Sequence, residues 1–299
     1  MEPHYRIGLG MVGFFATITS SGVTSSGLEH LAERPRTLYI SNHADIVREP
    51  TLINRELHRK GLPLAHIAAG ENLFAMASMQ LLLSLQPIFP VPREPGQGAR
   101  VAQRVEEELE EHPVWVAQGS GRSKTGNYHT HPHLLVNLAA ARGVSVDEYV
   151  RQTNIIPVAI STEYEPTAAV VARILKSGKK SRADDLLAVT LGIWGWKGAA
   201  HVAFSPPLAG EFPKAYVAAS AIDDAILLSY RCFATNREAH EERSRYPPRE
   251  WTARPVDMRR IHNPLLCHQL YKVDPALRPY ILARYAMPEH NRLLIAGKH

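Results

Sequence analysis

The chain has 299 residues, 45% hydrophobic and 21% charged, with a formal net charge of +5. These values exclude a disordered polymer and allow one substantial core, or one core with an appendage. The cationic excess favours anionic partners such as a phospholipid surface, a phosphorylated substrate or nucleic acid, without selecting one.

Ile7 to Ile18 reads as a short helix, too short to span a bilayer and without the lead-in and cleavage site of a signal peptide. Thr19 to Gly27, rich in Ser, Thr and Gly, reads as irregular chain or a short hairpin. Leu38-Tyr39-Ile40 is a strand that breaks at Ser41-Asn42 and presents His43 on a turn. A helix follows from near Pro50, with Leu52, Ile53 and Leu57 as its apolar face and Gly61 as its end. Leu64 to Ala69 is a second strand. Gly70-Glu71-Asn72 turns the chain into a helix from about Leu73 to Leu85, and Pro87 to Val91 is a third strand. The Leu73–Phe89 stretch is apolar but interrupted by polar residues, which suits a buried or interfacial helix rather than a membrane span.

Gly96 to Gly98 opens an acidic helix with Val101, Val105 and Leu109 in core register, stopped by Pro113. Val114 to Ala117 is a fourth strand, and Gln118 to Thr130 a loop. Helix signals return at His133 to Arg142, ended by Gly143, and at the capping box Ser145 to Glu148. Ile155 to Ile160 is a fifth strand, whose Pro157 suggests an edge or a bulge. A helix over Thr167 to Leu175 leads to the basic run Lys176 to Arg182, read as an exposed link. Ala199 to Phe204 is a last strand and Lys214 to Phe233 one long helix. From Arg243 onward the chain is rich in Pro, Arg and His, with one helix near Pro275 to Ala286 capped by Asp274. The strand–helix alternation predicts an α/β domain over residues 1–210 and a helical C-terminal extension, 211–299, packed on it. Cys232 and Cys267 are the only cysteines and form no Cys-x-x-Cys pattern, so a reducing compartment is expected.

His43 at the C-terminal end of a strand, with Asp45 and Glu49 just after it, is placed for base chemistry, because open α/β sheets bind ligands at that edge. The segments that follow give this signal an order. Ser41-Asn42-His43 through Pro50 resembles the first block, Asn-His followed by an acid, of the glycerolipid acyltransferases that acylate glycerol-3-phosphate or lysophosphatidic acid. Ala69-Gly70-Glu71-Asn72-Leu73 is similar to the lead-in to their second block, whose arginine would be Arg93. Gln118-Gly119-Ser120-Gly121-Arg122-Ser123-Lys124 resembles their third, and Ile155-Ile156-Pro157-Val158-Ala159 their fourth. The resemblance covers about residues 25 to 210. It departs at two positions. Arg48 stands five after His43, as in a bacterial subgroup with a one-residue-longer block that places Glu49 on the second acid and Asp45 on the first. Ser120 stands where the third block has a glutamate that positions the acceptor.

The resemblance implies a single mixed sheet flanked by helices, of the glycerol-3-phosphate acyltransferase kind. It also implies transfer of a fatty acyl group from an acyl-CoA or acyl-carrier-protein thioester to the hydroxyl of glycerol-3-phosphate or a lysophospholipid. His43 would act as general base, with Glu49 orienting its ring and Asp45 tying down the turn. Arg93, Arg122 and Lys124 would bind the acceptor phosphate, with Gly121, Ser123 and Pro157 lining the substrate site. No metal or cofactor is expected. The implied place is cytoplasmic, peripheral on the anionic inner face of the cell membrane.

Other readings are weaker. His129, His131 and His133 form the densest histidine cluster and suggest zinc, but lack an acidic ligand and are interrupted by Pro132. The basic runs lack a nucleic-acid motif, and Gly96-Gln97-Gly98 lacks the third glycine of a dinucleotide site. The serious alternative is a non-catalytic relative that binds lipid or acyl carrier, to which Ser120 points.

Overall fold

The computed structural model describes residues 18–45, 48–74, 86–92, 94, 96–119 and 121–297. Seven strands form one sheet: β1 (Gly22–Ser26), β2 (Thr37–Ser41), β3 (His66–Gly70), β4 (Ile88–Val91), β5 (Val114–Ala117), β6 (Asn154–Thr162) and β7 (Ala199–Phe204). Their order is β1-β7-β6-β2-β5-β3-β4, with every pairing parallel except β6 with β7. The expected mixed α/β sheet is thus present.

Side-chain alternation along β2 divides the core. Leu38 and Ile40 point into one layer, where they meet α2 (Gly98–Leu109), α3 (Pro132–Arg142), α4 (Val146–Gln152) and α7 (Ala215–Ser229) through Val105, Leu109, Leu135, Tyr149 and Ile222. Tyr39 points into the other, against Leu52, Ile53 and Leu57 of α1 (Arg48–Arg59) and Trp115 of β5. Each such fully buried aliphatic side chain contributes about 1.5–3 kcal/mol of transfer free energy. Gly61 ends the α1 segment in the left-handed region, at φ 71°. A third cluster joins α5 (Ala168–Ser177) to α9 (Pro264–Tyr271) and α10 (Arg278–Ala296), with Ala239 of α8 (Ala234–Arg243) and, beyond that helix, Trp251 in it. The last helix of the sheet region, α6 (Arg182–Trp194), precedes β7.

Several expectations change. Thr19 to Gly27 is neither irregular nor a hairpin: it contains the edge strand β1, which runs parallel to β7, the last strand of the sheet in chain order. Pro157 lies in an inner strand rather than at an edge, paired with Ile40. The proline is tolerated because Ser205 N–H donates to its carbonyl at 2.9 Å just where β7 ends, so only the reciprocal bond at the end of that ladder is forgone. The long helix ends at Ser229, not Phe233. Helices α6, α8 and α9 were not expected, and α10 runs ten residues beyond Ala286 with Pro288 inside it. The exposed link is shorter than expected, residues 178–181, since α5 runs to Ser177 and α6 begins at Arg182. The helices expected over 7–18 and 73–85 fall mostly outside the described residues.

Candidate functional site

The last residues of β2 are fixed before the chain turns. Ser41 is fully buried and accepts a hydrogen bond on Oγ from Trp115 Nε1 at 2.9 Å. Asn42, also fully buried, acts as a piece of strand: its Nδ2 donates to Ile160 O at 2.8 Å and its Oδ1 accepts from Ile160 N at 2.8 Å. A buried amide with both ends bonded is costly to misplace, so β2 is locked to β6 at this level. His43 follows with no freedom to shift along the strand. Its ring sits edge-on to Trp115, centroids 5.7 Å apart.

The turn then brings Glu49 back from the first turn of α1. Glu49 Oε2 lies 3.1 Å from His43 Nδ1, while Oε1 accepts the N–H groups of Ala44 at 2.9 Å and Asp45 at 2.8 Å. Burial alone would raise the Glu49 carboxyl; the bonds from His43, Asp45 and Ala44 outweigh it and hold it below the ordinary carboxylate value. The His43 side chain remains 15% exposed and that of Glu49 3%. An ionised carboxylate on Nδ1 leaves Nε2 as the nitrogen that can take a proton from outside.

Glu49 thus also ties down the turn. Asp45 lies among cations: Arg48, Arg122 and Lys197 each feel its charge. Helix α6 passes close by at Gly192, where a Cβ would stand 3.0 Å from Asp45 Oδ1. Arg48 is 6% exposed, burial pushes it down to about 10 against the pull of Asp45 and Glu49, and its Nε and Nη2 have no hydrogen-bond partner among the described residues. Lys197, 3% exposed, donates to Gly195 O at 3.1 Å and is pushed down to about 8, mainly by burial. Both line a cavity of about 20 Å³ with Ala44, Asp45, Glu49 and Tyr128, room for about one water.

The third-block loop lies beside this turn. Ser123 N–H donates to His43 O at 2.7 Å, and Ser123 Oγ to Asn127 O at 2.8 Å. The same loop is gripped from the C-terminal extension. Asp223 of α7 accepts Thr130 N–H at 2.6 Å and Gln118 Nε2 at 3.2 Å, and Arg284 of α10 donates to Ser123 O at 2.5 Å. Gly126, at φ 75°, lies where any Cβ would meet Arg284 O at 2.2 Å, so loop and helix touch backbone to backbone. Arg122 is partly buried, and burial lowers its guanidinium despite Asp45.

Of the residues expected at the site, His43, Asp45, Glu49, Arg122 and Ser123 come together, with Gly121 on the same loop. Lys124 is exposed at its outer side. Pro157 is buried in the sheet beside Ile40. Arg93 and Ser120 lie outside the described residues. His129 pairs with Asp223 at 3.4 Å, while His131 and His133 flank Pro132 at the start of α3, exposed, with their ring centroids 5.3 Å apart. Lys197 and Asp223 went unmarked in the sequence reading, since neither has a local signal. Arg48 was noted there only as a departure.

Residues 22–161 match the Acyltransferase family model, a span that contains all four sequence blocks. No curated protein sequence matches the chain. Among solved structures, the 1-acyl-sn-glycerophosphate (LPA) acyltransferase PlsC from Thermotoga maritima is similar, at 15% identity and a TM-score of 0.46, over 75% of each chain. With the four blocks in order inside it, the matched span, residues 22–161, carries an acyltransferase domain.

Proposed function

We propose that this protein moves a fatty acyl group from an acyl-CoA or acyl-carrier-protein thioester to the hydroxyl of glycerol-3-phosphate or a lysophospholipid. The observation that carries this reading is the His43–Glu49 pair: a buried carboxylate, held by two backbone N–H groups, 3.1 Å from Nδ1 of a partly exposed imidazole. His43 Nε2 takes the proton of the acceptor hydroxyl as its oxygen attacks the thioester carbonyl, and Glu49 stabilises the imidazolium that forms. Collapse of the tetrahedral adduct expels the thiolate, which takes the proton from His43. Neither an enzyme nucleophile nor a metal is needed for these steps.

Arg122 is the cation nearest this pair in the third-block loop, and together with Arg93 and Lys124 it would hold the acceptor phosphate, with Gly121, Ser123 and Pro157 shaping the site. Residues 1–210 would form the acyl-transfer domain and 211–299 an extension that braces its loop through Asp223 and Arg284. Attachment is to an anionic membrane surface on the cytoplasmic side. No helix among the described residues is long and apolar enough to cross a membrane. Helix α6 and its flank expose Leu186, Leu187, Trp194 and Trp196 beside the exposed Lys179 and Lys180, a pairing of apolar and basic groups suited to a lipid surface.

The test is transfer of labelled acyl groups from both thioester classes to a panel of glycerol phosphates and lysophospholipids, with His43→Ala beside the unaltered protein. Loss of transfer with a retained thermal transition is expected. Transfer at the original rate in that variant removes the proposal. Arg122→Ala should raise KM for a phosphorylated acceptor more than for the donor; an equal rise for both would point to collapse of the loop.

A further inference from the structure

At the end of the sheet away from His43, three side chains of metal-ligating type converge. His66 is the first residue of β3 and lies level with Val114 and, across β5, Leu38. Five residues of strand separate that level from His43, about 17 Å at 3.3 Å per residue. Glu108 is in the last turn of α2, and His112 follows four residues later. His112 N–H donates to Glu108 O at 2.9 Å, so the helical turn continues through it and both side chains leave from one face. That face meets β3, where His66 N–H donates to Pro113 O at 2.7 Å.

His66 Nδ1 lies 2.8 Å from Glu108 Oε2, and the rings of His66 and His112 stack with centroids 3.8 Å apart. One ligand atom from each of the three residues falls within 4.8 Å of the others, the one such group among the described residues. They line an open groove of about 410 Å³ with Phe89, Arg104, Glu107 and Glu111.

We propose that His66, Glu108 and His112 bind one divalent transition-metal ion, with zinc the best match to two imidazoles and a carboxylate. Zinc takes such nitrogens and oxygens at about 2.0–2.2 Å in a tetrahedron, which sets neighbouring ligand atoms roughly 3.3 Å apart. His66 and Glu108 are already near that spacing. His112 must turn out of the stack, because an ion lies in the plane of each ring that binds it and stacked rings share no plane. Its side chain is 42% exposed, so beyond the stack with His66 the ring has solvent to turn into. Arg104 Nη2 holds Glu108 Oε1 at 3.3 Å, which leaves Oε2 for the ion. Glu107 and Glu111 make the groove attractive to a cation, and its open side leaves the fourth position to water. The ion would clamp the end of α2 to the start of β3. It would take no part in acyl transfer at the opposite edge.

The experiment is a zinc titration of the untagged, chelator-stripped full chain against a chromophoric competitor, with thermal unfolding recorded with and without zinc. One equivalent per chain is expected, together with a higher Tm in zinc. His112→Ala, at an exposed position, should keep the fold. It and His66→Ala should each weaken binding by more than the about 10–100-fold that loss of a residue behind the ligands costs, and abolish the Tm rise. A double His131→Ala, His133→Ala variant should bind like the parent. Unchanged zinc affinity in His112→Ala and His66→Ala, or loss of it in the His131/His133 variant, overturns the proposal.

Discussion

Arg284 in α10 and Arg48 at the head of α1 are both almost fully buried, yet they end on different surroundings. Arg284 makes a short ion pair from Nε to Glu165, and its Nη1 reaches Ser123 O. Burial lowers its guanidinium, but Glu165 and Tyr128 outweigh that and leave it above its ordinary value. Arg48 has Asp45 and Glu49 near enough to feel, but burial wins, and two of its nitrogens, against one of Arg284's, face no acceptor among the described residues. The first arginine is a tie between the extension and the third-block loop. The second is a charge held, with Lys197, over a small cavity behind the histidine. The general lesson concerns what each buried charge does for the site: paired charges fix position, whereas unpaired ones supply field at a cost in stability.

The pairing is most severely tested at Glu49. If its carboxylate orients and charges against His43, Glu49→Gln should lower kcat by about 10²–10⁴-fold, the range of general-base contributions, and should also lower Tm at neutral pH, where the ionised carboxylate contributes in full. Steady-state rates at saturating acceptor read this directly. Because Glu49 is held below its ordinary 4.5, its stabilising contribution is complete above that value and fades as pH falls through the folded value, so the variant should also unfold less steeply in acid. An unaltered kcat would leave the pair a structural clamp.

Arg284→Met breaks a buried pair and strands Glu165, and should cost about 3–5 kcal/mol in denaturant unfolding. It should also reduce transfer through the loosened Ser123 loop. Arg48→Met strands no directly bonded carboxylate and should cost less than half as much. Equal costs would abolish the distinction between the two arginines. Asp45→Asn falls between them, at about 1–3 kcal/mol, since it removes the stronger of the two carboxylate attractions, those of Asp45 and Glu49, that Arg48, Arg122 and Lys197 share.

What the sequence disclosed follows from the range of each interaction. His43 and Glu49 are six residues apart, joined by one turn and one helix start, so both could be marked without knowledge of the rest. Asn42 could be marked but not explained, because its partner Ile160 is 118 residues away. Strand β1, Gly-Val-Thr-Ser-Ser, has almost no apolar content and becomes a strand only because β7 offers it an edge. Helix α8 is polar apart from two alanines and stands because Asn236 and Arg243 bond backbone carbonyls that only the fold supplies. Helix α6 did carry a local signal, the reciprocal Ser181–Asp184 cap, obscured by its place at the end of a basic run. Lys197 sits in a short link between α6 and β7, and only burial beside Asp45 gives it meaning.

That burial yields the smallest effect and the sharpest in pH. Lys197 titrates near 8 in the fold against an ordinary 10.5. Below pH 8 it is charged in both folded and unfolded chains, and its burial cost is fully present. Between 8 and 10.5 the unfolded chain binds more proton than the folded one, so stability rises with pH from this group, and above 10.5 the cost is gone. The span corresponds to an upper bound on the order of 3 kcal/mol. Lys197→Met keeps the length of the stem and removes the charge. It should therefore stabilise the protein at pH 7, and the gain should shrink steadily towards pH 10.5 in unfolding curves taken across that range. A loss of stability at pH 7 would mean that attraction to Asp45 outweighs burial, and that Lys197 belongs with Arg284 among the paired charges.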